Sequence, residues 1–153
     1  MTGDRPARDS LRPAYEATRY LIHLEDGVLE VRIGRRSARL DALLHHFGTA
    51  VAVIVTAENP ASRVLPAAEN AARNAELRER LAALGFATLP HTAECDPAAG
   101  PWPAEHGFVV PGLDRTAGLL IAAAFGQYAI VTLGRRRPAE LAFTTLADVH
   151  HRP

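Results

Sequence analysis

Apolar and polar positions change rhythm several times along the chain, and each change marks an element. Tyr20, Ile22 and Leu24 alternate with Leu21 and His23, Glu25-Asp26-Gly27 supplies turn residues, and Val28 to Ile33 alternates again, which predicts a β-hairpin. Ser37 is placed to cap a short helix in which Leu40, Leu43, Leu44 and Phe47 keep helical spacing and Gly48 stops it. Val51 to Val55 is apolar and β-branched without alternation, as expected of a central strand covered on both faces or at least deeply buried. A long helix is predicted from about Pro66 to Gly85, then a short strand over Phe86 to Leu89 and a Pro-rich loop over residues 90 to 104. Phe108-Val109-Val110 reads as a strand, Asp114 as the cap of a helix reaching about Ala124, Tyr128 to Leu133 as a strand, and Leu141 to Leu146 as a last edge strand.

The order ββαβαββαββ predicts an α+β two-layer sandwich with three helices on one side of a mixed or antiparallel sheet. Residues 1–14 lack periodicity and are expected to be a flexible leader, 15–146 a single α+β domain, and 147–153 a disordered tail.

The long helix breaks its own pattern. Leu77, Leu81 and Leu84 define a buried stripe, yet projected back at about 100° per residue its centre passes through Asn70, with Arg73 and Asn74 within about 60°. A buried amide left unpaired costs about 1–3 kcal/mol, so these side chains need partners. The strand at Val51–Val55 delivers Thr56-Ala57-Glu58-Asn59-Pro60-Ala61-Ser62 to the same edge of the core. Either Asn70 and Asn74 bond the backbone of that loop and lock it, or Arg73 faces a cleft and grips an anion that Asn59, Ser62 and Asn70 orient. Glu69 lies about 90° off the stripe and pairs by spacing with Arg73.

Composition narrows the chemistry. Acidic and basic residues number 17 each, which leaves no net field to draw the chain onto nucleic acid or an anionic membrane. Every basic residue is Arg, so lysine chemistry, from a P-loop to a Schiff base, is excluded. Cys95 stands alone, precluding an intrachain disulfide, and no apolar run is long enough to span a bilayer; the chain is read as cytoplasmic. The Arg35-Arg36 turn with Arg39, and Arg135-Arg136-Arg137, read as solvated turns. No aromatic interleaving supports base stacking, which argues against a nucleic-acid partner. His91, Cys95, Asp96, Glu105 and His106 are competent metal ligands, but their spacing matches no closed site and no metal is expected. A serine hydrolase is disfavoured because Ser62 stands in no Gly-x-Ser-x-Gly elbow.

Several spaced segments resemble one bacterial family. Thr56-Ala57-Glu58-Asn59-Pro60-Ala61-Ser62, Glu69-Asn70-Ala71-Ala72-Arg73-Asn74-Ala75-Glu76-Leu77, Trp102-Pro103-Ala104-Glu105 and Phe125-Gly126-Gln127-Tyr128-Ala129-Ile130 are similar to domain of unknown function 3293. The resemblance extends over roughly residues 15–145; Tyr128 stands where that family usually has Asn. It implies a stand-alone bacterial domain and carries no reaction or cofactor.

The leading expectation is a polar pocket of Asn59, Ser62, Asn70, Arg73 and Gln127, closed by Trp102 and Glu105, that binds a small anionic metabolite or nucleotide. If the chain is an enzyme, Glu69 or Glu105 is the candidate general acid or base and Arg73 the stabiliser of developing negative charge. The alternative is a non-catalytic interaction or regulatory module in which the polar residues only lock the loop. Its partner would then meet the 90–104 segment or the edge strand near 141–146.

Overall fold

An unbroken β-branched run needs cover on both faces, and β3 (Val51–Val55) receives it: Ala52 and Ile54 enter one apolar cluster, Val53 and Val55 another. The computed structural model describes residues 8–99 and 102–148. In chain order these form α1 (Arg8–Glu16), β1 (Thr18–Leu24), β2 (Gly27–Val31), α2 (Ala38–His46), β3, α3 (Ala67–Ala83), β4 (Leu89–Cys95), β5 (Glu105–Pro111), α4 (Arg115–Ala124), β6 (Ala129–Gly134) and β7 (Glu140–Phe143). Two caps form as the sequence predicts. Ser37 Oγ accepts from Leu40 N at 3.2 Å, and Asp114 Oδ1 accepts from Ala117 N at 2.9 Å.

The strands make one antiparallel sheet in the order β2-β1-β4-β5-β3-β6-β7, strongly curled into a half-barrel. Its two ends meet at a seam. Ile33 bridges Ala139, Gly34 N donates to Ala139 O at 2.8 Å, and Ala139 N donates to Arg35 O at 3.2 Å. Leu29 and Val31 from one end of the sheet therefore share a cluster with Ala139 from the other, which identifies this face as the inside of the curl.

The expected two-layer sandwich with three helices on one side needs correction, because a curled sheet has an inside as well as an outer face to cover. Leu40 and Leu44 of α2 plug the inside against Leu29, Val31, Ala52 and Leu133. Leu77 and Leu81 of α3 and Ala122 of α4 cover the outer face over Val53, Val55, Val110 and Ile130. The fourth helix, α1, falls in the stretch expected to be a leader; its Leu11 and Tyr15 pack near Phe143 and Ala147. Residues 1–7 of that leader and 149–153 of the expected tail lie outside the described residues.

A second correction concerns residues 86–104. The predicted strand at Phe86 to Leu89 lies instead at β4, inside what reads as the Pro-rich loop, paired with β1 and β5. Its inward residues are Leu89, packed against the core inside the curl, and then His91, Ala93 and Cys95, partners of Ile22, Tyr20 and Thr18 across the ladder. After Leu89 they carry no large aliphatic, so the alternation that marks a strand is invisible in hydropathy. Among the described residues, no helix is long and apolar enough to cross a membrane.

Two cores on opposite faces of one sheet give a direct test. Leu44→Ala and Leu77→Ala should each lower the unfolding free energy by about 2–5 kcal/mol, and the double variant should equal their sum within about 0.5 kcal/mol in urea titrations. A large coupling energy would show that the two clusters are one core.

Candidate functional site

The chain leaves β3 into a loop that it holds in an unfavourable shape. Asn59, Ala61 and Ser62 have φ of 46°, 53° and 58°, left-handed values that cost a residue other than glycine about 1 kcal/mol or more each. Gly126 allows the close approach this needs: its carbonyl accepts from Ala61 N at 2.8 Å, and a Cβ there would stand 2.8 Å from Pro60 Cβ.

The polar end of α3 holds that loop. Asn74 Oδ1 accepts from Ala57 N and its Nδ2 donates to His106 O, both at 2.9 Å. Asn70 Oδ1 accepts from Asn59 N at 2.9 Å, and its Nδ2 donates to Asn59 Oδ1 at 2.8 Å and Leu65 O at 3.3 Å. Arg73 donates from Nε to Ala57 O at 2.6 Å and from Nη2 to Phe125 O. Gln127 Nε2 donates to Glu58 O at 2.9 Å. These side chains stand where Leu would pack because the loop's backbone groups, buried beneath α3, need partners that water cannot supply.

On the inner side of the same loop lies a cavity of about 90 Å³. Tyr15 from α1, Tyr20 from β1, His91 from β4, Glu105 from β5 and Gln127 before β6 line it, with Asn59 and Ser62 from the loop. Ala93, also on its wall, faces Glu105 across the β4–β5 ladder, while Gly107 faces His91. A Cβ on Gly107 would lie 2.5 Å from His91 Cε1 and 2.4 Å from Val55 O, so only glycine leaves the imidazole its place. A second cavity of about 130 Å³ shares Tyr15, Thr18, Ser62, Ala93 and Glu105 with the first and adds Cys95 and Trp102.

Burial sets the charge state of this wall. It lifts the Glu105 carboxyl from 4.5 to about 7, with a smaller push from the Glu58 carboxylate. It depresses His91 to about 3, with His106 and His23 adding to the effect, so the imidazole is neutral. Burial also drives the Tyr15 and Tyr20 hydroxyls well above the usual tyrosine range. Among the described residues, His91 Nδ1 is the buried side-chain nitrogen or oxygen atom with no hydrogen-bond partner, in a residue only 3% exposed.

The expected site residues divide into three groups. Asn59, Ser62, Gln127 and Glu105 line the inner cavity, and Trp102 joins Ser62 and Glu105 at the second cavity with 53% of its surface exposed. Asn70 and Arg73 lie behind the loop, with Asn70 in an outer groove beside Glu58, Asn74 and His106. Glu69 is exposed in the first turn of α3 and lines neither cavity. Of the five residues considered as metal ligands, His91 and Glu105 line the inner cavity and Cys95 the second, and the described residues hold no group of three or more that could bind a metal ion. Sequence reasoning missed Tyr15 and Tyr20 as cavity residues. The available signal was the row of small residues at alternate positions, Ala93 and Gly107, opposite Glu105 and His91.

The molecule is thus an α+β domain in which a locked loop borders a polar cavity inside a curled antiparallel sheet. Residues 55–130 match the family described as Protein of unknown function (DUF3293), and the chain belongs to that family. The matched span runs from the end of β3 to the start of β6 and so contains the loop, its lock on α3, His91, Glu105 and Gln127. No curated protein and no solved structure matches the chain.

Two outcomes follow from this geometry. Asn74→Ala strips partners from Ala57 N and His106 O and should cost about 1–3 kcal/mol in chemical unfolding, whereas Glu69→Ala should stay within about 0.5 kcal/mol.

For pH, Glu105 holds its proton more tightly folded than unfolded, so its stabilisation is full below about 4.5 and is lost as pH rises through about 7. His91 acts oppositely: its stabilisation is full above 6.5 and is lost as pH falls toward about 3. Glu105→Gln removes the alkaline loss alone. Relative to the parent it should gain about 3 kcal/mol of stability between pH 4 and pH 8. A difference that does not change with pH would place Glu105 in water.

Proposed function

We propose that this chain is a small-molecule-binding domain whose ligand occupies the cavity inside the curl, against Glu105, His91, Tyr20 and Gln127. The observation that carries the reading is the unpartnered His91 Nδ1 at a cavity whose lining intersperses polar groups with the small residues Ala93 and Ala129. A core built only for stability would fill that space with aliphatic side chains and leave no buried nitrogen without a partner.

The sequence favoured a small anion held by Arg73. That guanidinium directs Nε and Nη2 to the Ala57 and Phe125 carbonyls, and among the described residues no arginine lines the cavity. The binding reading therefore rests on the cavity, with Arg73 supporting its rim. Should the domain be catalytic, Glu105 is the group suited to proton transfer, since its carboxyl exchanges a proton near neutral pH inside the cavity.

A second reading has its own support. The side-chain hydrogen bonds of Asn74 and Arg73 all end on backbone atoms, as a non-catalytic interaction or regulatory module with a locked loop would have them.

Thermal shifts against a metabolite collection separate the two readings. A cavity ligand at ten times its Kd should raise Tm by about 3–6 °C, and Ala93→Leu, which fills the cavity, should abolish the shift in a folded protein. If no compound shifts the parent while Arg73→Ala lowers Tm, the module reading stands and the binding reading fails.

A further inference from the structure

We infer that the ligand of this cavity is a small organic cation, a compact protonated amine whose N–H groups point at Glu105 and His91 between the rings of Tyr15 and Tyr20. This deepens the binding reading and rests on it. Three observations about the wall converge.

The wall carries acceptors and no competing cation. Among the described residues, neither cavity is lined by an arginine, and the chain has no lysine. The acidic groups that bear on it are two carboxyls: Glu105 lines both cavities and is charged above about pH 7, and the Glu58 carboxylate acts on Glu105 from the locked loop. An anion placed here would be repelled and would meet no cationic partner.

The unpartnered group suits a donor. Buried neutral imidazole has one ring nitrogen that accepts, and His91 stands on the wall with Nδ1 making no hydrogen bond; with the ring proton on Nε2, Nδ1 is that acceptor. Gln127 has given its Nε2 to Glu58 O and Phe125 O, which leaves its amide oxygen as the group it can offer a ligand. An ammonium, with three donors and no acceptor, complements such a set.

Aromatic side chains complete the wall. Tyr15 and Tyr20 line the cavity together, and Tyr20 lies 6.2 Å from the His91 ring, centroid to centroid. Ring faces attract a desolvated cation by about 2 kcal/mol. The second cavity, bordered by Trp102, gives room for the aliphatic part of the amine.

The titratable groups that face Glu105 are Tyr15 from α1, Tyr20 from β1, His91 and Cys95 from β4 and Glu58 from the loop after β3. The two tyrosines and the histidine stay neutral across the physiological range, so Glu105 is the group whose ionisation sets the pH response. A protonated amine entering the cavity displaces the Glu105 proton to solvent, and binding should tighten about tenfold per pH unit up to about 7 and then level off.

The test uses three probes of one shape: n-butylammonium, n-butanol and butyrate. Each is titrated into the full chain at pH 8 while amide and side-chain NMR shifts are followed at Glu105, His91 and Tyr20. Butylammonium should bind at least tenfold more tightly than the other two. Glu105→Gln, checked by circular dichroism for an intact fold, should remove that preference while leaving butanol binding unchanged. Tyr15→Phe, which keeps the ring face, should retain the preference, and Tyr15→Leu should reduce it. If butanol or butyrate binds as tightly as the amine at these residues, the cation inference fails and the cavity reading survives. If none of the three perturbs any cavity residue at high millimolar concentration, both are overturned.

Discussion

The structure depends on satisfying the backbone of one loop. A segment with three left-handed residues that passes beneath a helix buries N–H and C=O groups that no sheet or helix ladder can serve. Side-chain amides on α3 and a guanidinium supply the missing partners, and this is why an otherwise ordinary amphipathic helix gives up its apolar stripe at one end. With the loop fixed, β3 and β5 keep their register to the last pair, Val55 with Phe108, and Glu58 Oε1 goes on to accept from His106 N at 2.7 Å. The cavity wall is then hydrogen-bonded on both sides of the loop.

The curl explains how one domain holds two environments. Sheet residues facing α3 and α4 are aliphatic and fully packed, as Val53, Val55 and Val110 are. Residues facing inward are aliphatic where α2 enters and become His, Ala, Glu and Gly toward α1. The same strands therefore carry a core at one end and a polar chamber at the other, and parity alone decides which residue serves which.

Much of the fold was legible where packing dictates residue type. The hairpin from Tyr20 to Ile33, the capped helices after Ser37 and Asp114, and the buried run at Val51 follow from alternation, capping chemistry and β-branching. The breach in α3 pointed to buried polar work, and Asn70 and Asn74 do that work on the loop backbone. What escaped the sequence is whatever depends on closure. β4 hides because most of its inward residues line a chamber, α1 because Pro13 and the charged residues around it mask the helical spacing of Leu11, Ala14 and Tyr15, and the inner location of the cavity because nothing local encodes a curl. Glu105 was found as a chemical type; Tyr15 and Tyr20 read as ordinary aromatic residues because their shared neighbour is distant in sequence.

The seam between Ile33 and Ala139 has a consequence for how the protein behaves among other copies of itself. An open seven-stranded sheet would present two rows of unpaired backbone groups, each a template for adding a foreign strand. Here the start of β7 spends Ala139 N and O on Gly34 and Arg35. The contact joins residues more than a hundred positions apart, so it can form only after the chain has been made as far as Ala139. Until then the growing chain carries both margins bare, which makes the interval before seam closure the period of greatest exposure to aggregation.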